Sequence, residues 1–125
     1  MEALLAQYTS VDLASVNHWF EVAPVHQFPK NGGVCVKYKG KQIAVFYFAR
    51  RESWYACQNL CPHRLEMVIS RGLLGEENGV PKVACALHKK TFSLETGENT
   101  NGDLPSIAVY PVKVQDEKVY IGFRE

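Results

Sequence analysis

A chain of 125 residues, 46% apolar and 22% charged, is the size of one ordinary domain and has apolar surface enough for a packed core. Its formal net charge of +1, with acids and bases interspersed, excludes the marked basic excess of a nucleic-acid binder and gives no reason to expect an anionic membrane as partner. The longest apolar-rich stretch, Ile43 to Ala49, is far short of the roughly 20 residues that span a bilayer. Met1-Glu2-Ala3-Leu4-Leu5 has neither a basic region nor a long apolar one, so no signal peptide is read and a cytoplasmic location is expected.

In chain order, residues 1–17 read as a partly ordered N-terminal arm and residues 18–125 as one domain. Trp19 to Val22 opens a short strand. Gly32-Gly33 leads into Val34–Tyr38, and Gly40-Lys41 turns the chain into Ile43–Phe48. Arg50-Arg51-Glu52 forms the next turn, before Ser53–Cys57. Residues 58–104 differ, with clustered glycines and prolines and short apolar pieces, of which Val83–Cys85 and Thr91–Leu94 read as strands and Glu95–Glu98 as a turn. Ile107–Tyr110, Val112–Val114 and Val119–Phe123 close the chain, and Pro111 implies an edge position or a bulge. The expectation is an all-β fold, an antiparallel sandwich or barrel framework with a small β insert at about 58–104.

The insert carries the chemistry. Cys61-Pro62-His63 places a thiolate and an imidazole one residue apart; Cys85-Ala86-Leu87-His88 places a second such pair two residues apart; 21 residues separate His63 from Cys85. Ligands must converge within about 2.0–2.3 Å of a metal, and two short loops side by side allow that. In a Rieske centre two cysteines hold one iron of a 2Fe–2S cluster and two histidines the other, so each loop must give one ligand to each iron. The mixed pairs meet that demand. A tetrahedral zinc site could use the same four residues, though zinc fingers usually group like ligands together, and a metal-free reading leaves Cys85 a buried thiol and His88 a surface histidine. Cys35 and Cys57 lie in apolar strand-like runs and read as buried thiols. His18 and His26 read as surface or packing residues, and Trp19, Trp54 and Phe46-Tyr47-Phe48 as core and sheet face.

From Trp19 onward the chain resembles the Rieske 2Fe–2S family, and within it the small subunits of NAD(P)H-dependent assimilatory nitrite reductases. The stretches that carry the likeness are Cys61-Pro62-His63, Ser70–Gly75 and Val83–Glu98, the last including His88-Lys89-Lys90-Thr91-Phe92-Ser93-Leu94. The resemblance implies that Cys61 and Cys85 bind the inner iron and His63 and His88 the outer, solvent-near one. Leu104-Pro105 is similar to the segment that covers the cluster. Where the family pattern has a glycine shortly after each histidine, this chain has Arg64-Leu65 and Lys89-Lys90. The gap between the pairs is also longer than in many Rieske ferredoxins. The cysteine pair that braces high-potential members is replaced by Glu66 and Leu87, which implies a potential toward the low end of roughly −150 to +300 mV.

The resemblance further implies an electron-transfer or structural subunit beside a large subunit carrying FAD, a 4Fe–4S cluster and sirohaem, which reduces nitrite to ammonium. The chain has no glycine-rich dinucleotide fingerprint and no evident triad or paired acids in the insert, so no nitrite-reducing site is expected on it alone. A Rieske ferredoxin of a ring-hydroxylating dioxygenase, and a structural subunit that is cluster-free or holds zinc, are the competing readings. Arg64, Lys89 and Lys90 would make the rim of the centre basic, suited either to an acidic docking surface or to easing the cluster's own charge.

Overall fold

The computed structural model describes residues 2–87 and 89–125, with side chains from residue 4 onward; His88, one of the four expected ligands, lies outside the described residues. The strands are β1 (His18–Pro24), β2 (Gly32–Tyr38), β3 (Lys41–Phe48), β4 (Ser53–Gln58), β5 (Leu60–Cys61), β6 (Glu66–Met67), β7 (Leu73–Glu77), β8 (Val80–Ala84), β9 (Thr91–Ser93), β10 (Val109–Tyr110), β11 (Val112–Gln115) and β12 (Lys118–Phe123). A four-residue helix, Glu2–Leu5, precedes them. No described helix is long and apolar enough to cross a membrane.

Two antiparallel sheets form the framework, in the orders β1-β12-β11 and β10-β4-β3-β2. Two smaller ones, β5-β6 and β7-β8-β9, form the insert. The run Ile43-Ala44-Val45-Phe46 on β3 is apolar throughout because the strand is covered on both faces. Ile43 and Val45 pack with Val119, Ile121 and Phe123 of the three-stranded sheet. Ala44 and Phe46 pack on the other side with Cys57, Ile69, Val83 and Phe92, toward the insert. The four-stranded sheet is thus the middle layer. The first interface contains Tyr38 stacked flat on Phe123, with ring centroids 3.8 Å apart.

Pro111 stands where the chain leaves one framework sheet for the other, between β10 and β11. Lacking an N–H, it ends the pairing of β10 without orphaning a donor, and its carbonyl accepts from the Gly122 N–H at 2.8 Å. The expected strand over Ile107–Tyr110 is shorter in the fold. Ile107 donates to Gly97 O (2.8 Å) and Ala108 to the Gln58 side chain (2.7 Å), so insert and middle sheet satisfy their backbone instead.

Residues 2–17 run against the framework. Val11 N–H donates to Val109 O (3.0 Å), and the Ser10 hydroxyl accepts from Val109 N–H (2.9 Å), which occupies part of the exposed edge of β10. Tyr8 is buried in the core, and its hydroxyl accepts from the Gln42 N–H at 3.0 Å.

Candidate metal centre

The insert docks on the middle sheet through one glycine and one buried amide. A Cβ at Gly33 on β2 would stand 2.3 Å from Ser70 O and 2.6 Å from the Phe46 ring, so only glycine lets the turn at Ile69–Arg71 lie this close. Asn59 is 1% exposed. Its carbonyl oxygen accepts from Ser70 N–H (2.6 Å) and its amide donates to Gln42 Oε1 (3.1 Å), while its backbone carbonyl accepts from Ile69 N–H (3.1 Å). Each polar group so buried would otherwise cost about 1–3 kcal/mol. Gln58, also buried, donates to Leu60 O at 2.7 Å. These residues fix the entry to Cys61. Pattern reading missed them, although two amides inside the otherwise apolar stretch Cys57–Cys61 are a legible signal.

The two ligand loops are built alike. The first leaves β5 at Cys61, and the Leu65 N–H closes it by donating to Cys61 O (2.9 Å). The second leaves β8 at Ala84, and Lys89 N–H donates to Cys85 O, also at 2.9 Å. Cys61 pairs with Glu66 across β5 and β6, and in the same position of the second loop Cys85 N–H donates to Lys90 O at 2.7 Å. The fifth residue of each loop is left-handed, with φ 56° at Leu65 and 55° at Lys89. The backbone conformation that glycine adopts without strain is therefore kept here by two residues that carry side chains.

Cys61 and Cys85 are free cysteines, each 2% exposed, in one apolar group with Cys57, Ile69, Val83 and Phe92. The Cys61 and Cys85 thiols lie in the same buried cluster, near enough to act on each other electrostatically. Burial pushes the Cys61 thiol up to about 11, opposed by the backbone N–H groups of His63 and Arg64 that point at its sulfur. Leu104 packs against this apolar group from outside. His63 is half-buried, more exposed than either cysteine. Among the described residues no three His, Cys, Asp or Glu side chains are grouped closely enough to hold a metal ion. The chemistry of the donors present fits an iron–sulfur cluster: two buried thiols near each other, with amide donors aimed at sulfur and an imidazole nearer the surface.

The other expected residues lie elsewhere. Cys57 is fully buried on β4, and burial holds its thiol far above the ordinary range. Cys35 corrects the expectation of a buried thiol, for it is exposed. β2 is an edge strand; its alternation sends Val34 and Val36 into the core and turns Cys35 to a face the insert leaves open. Its sulfur lies 3.4 Å from Gln42 Oε1. His18 and His26 are exposed, at the start of β1 and in the turn Val25–Gln27. Of the three rim cations, Lys90 is ion-paired with Asp103, so the rim is less basic than the residue count suggests.

A β framework with two like-built Cys/His loops on a small insert defines a class. The chain belongs to the Rieske-like [2Fe-2S] domain family, whose model matches residues 18–122. It is 34% identical over 104 residues to a protein of Klebsiella oxytoca named nitrite reductase [NAD(P)H] large subunit, covering 83% of this chain but only 11% of that protein. It is 28% identical over 106 residues to the nitrite reductase (NADH) small subunit of Salmonella typhimurium, covering 85% of this chain and 98% of that one. The solution structure of Escherichia coli NirD superposes with a TM-score of 0.77 at 27% identity, covering 86% of this chain and 98% of NirD.

Proposed function

We propose that the chain is the small subunit of an NAD(P)H-dependent nitrite reductase, and that Cys61, His63, Cys85 and His88 hold a Rieske-type 2Fe–2S cluster. The observation that carries the cluster reading is the pair of like-built loops whose cysteines meet in the core. The near-complete coverage of the Salmonella small subunit supports the subunit reading. When bound, the cluster supplies one-electron transfer.

The chain's own residues do the rest. Cys61 and Cys85 must each give up a proton to ligate. The N–H groups of His63 and Arg64 stabilise the thiolate at Cys61, while Ile69, Val83 and Phe92 exclude water from below. His63 lies nearer the surface, where electrons would enter or leave. The partner is a large subunit carrying FAD, 4Fe–4S and sirohaem, where nitrite is reduced to ammonium, and the complex works in the cytoplasm.

Anaerobically purified chain should carry about two irons and two sulfides, be brown, and give a rhombic EPR signal when reduced. Zinc, or no metal after reconstitution, sinks the cluster. Added to the large subunit, the chain should raise NAD(P)H-dependent nitrite reduction, with no turnover by the chain alone. Nitrite reduction by the isolated chain, or selective capture of an aromatic-ring oxygenase in place of a sirohaem protein, would refute the subunit reading.

A further inference from the structure

Lys90 follows directly on the left-handed residue of the second ligand loop, and its carbonyl is tied to the Cys85 N–H at 2.7 Å. Its ammonium forms an ion pair with the Asp103 carboxylate. Asp103 has a rigid mount. The side-chain carbonyl of Asn99, a residue 5% exposed, accepts from the backbone N–H groups of Asp103 (2.9 Å) and Leu104 (3.1 Å). The Asn99 amide donates to Thr91 O on β9 (3.1 Å), and Thr91 N–H donates to Asn101 Oδ1 (2.9 Å). The Lys90 ammonium holds the Asp103 carboxyl below the usual carboxylate range, and the His63 imidazole adds a smaller electrostatic pull in the same direction. The carboxylate is thus held against the second ligand loop. As a staple it adds little, since solvent screens an ion pair this exposed.

We propose that Asp103 and Lys90 are a fixed charge pair beside the second ligand loop that sets the reduction potential of the centre, Asp103 lowering it and Lys90 raising it. This rests on the reading that the two loops hold a cluster. The reason is Coulombic: reduction adds a negative charge, which a neighbouring carboxylate opposes and a neighbouring ammonium favours. A pair that only stapled the second loop would shift the potential in one direction, or not at all, whichever partner was removed.

The test uses the full chain with its cluster reconstituted, comparing D103N, K90Q and the double variant by redox titration followed through visible absorbance and EPR. D103N should shift the potential positive, K90Q should shift it negative, and the double variant should fall between them. Shifts of the same sign in both single variants, or no shift in either, overturn the proposal while leaving the cluster in place. If the unaltered chain takes up no iron and gives no rhombic signal, the cluster reading falls and the proposal falls with it.

Discussion

The two left-handed residues make opposite predictions although their backbones match. Lys89 has φ 55° and an exposed side chain. A side chain in this region costs about 1–2 kcal/mol, and glycine removes that cost. Glycine also loosens the unfolded chain, which subtracts about 0.4–1 kcal/mol. Lys89→Gly should therefore stabilise the protein by about 0.5–1 kcal/mol, with Lys89→Ala as control, because alanine keeps the Cβ and the strain. Leu65 has φ 56° but packs against the main core. Leu65→Gly gains the same relief and loses burial of roughly 2–3 kcal/mol, for a net destabilisation of about 1–2 kcal/mol. Urea unfolding of the metal-free chain at pH 7, with shared slopes, resolves these differences. The reasoning fails if Lys89→Gly destabilises, if Lys89→Ala stabilises as much as glycine does, or if the two glycine variants move in the same direction.

Three further outcomes follow from the docking of the insert and from the buried thiol. Asn59→Ala leaves the Ser70 N–H and Gln42 Oε1 without their buried partner and should cost about 2–3 kcal/mol in the same assay; a loss under about 0.5 kcal/mol would mean that water replaces the amide. Gly33→Ala drives a Cβ into the Ser70 carbonyl and should cost at least about 1–3 kcal/mol, with amide exchange accelerating first at Ile69–Gly72; unchanged exchange there would refute the close approach. Burial holds the Cys57 thiol well above its ordinary range, so its contribution is complete below the unfolded thiol's pKa and is lost as pH rises beyond it. Above about pH 9 this one group should remove roughly 1.4 kcal/mol of stability per pH unit, and Cys57→Ala should flatten the alkaline slope by that amount; equal slopes in the two proteins would show that Cys57 does not stay protonated in the folded state.

The sequence by itself determined the framework strands and the two Cys/His pairs. Both are local signals: an apolar run between turn residues is a strand wherever it packs, and ligands spaced by one or two residues share a loop in any fold. Tertiary structure decided what depended on a second segment of chain. Ile43–Phe48 is apolar because the insert covers one face and β12 the other, and Cys35 is exposed because the insert stops short of it. Neither follows from the strands taken alone. The left-handed turns at Leu65 and Lys89 were hidden because the residues there are not glycines, so only the backbone discloses them. Asn59, Asn99 and Asp103 act across sequence separations of 11, 8 and 13 residues, on Ser70, Thr91 and Lys90. Their polar side chains gain a role only when folding buries the backbone groups or charges they meet.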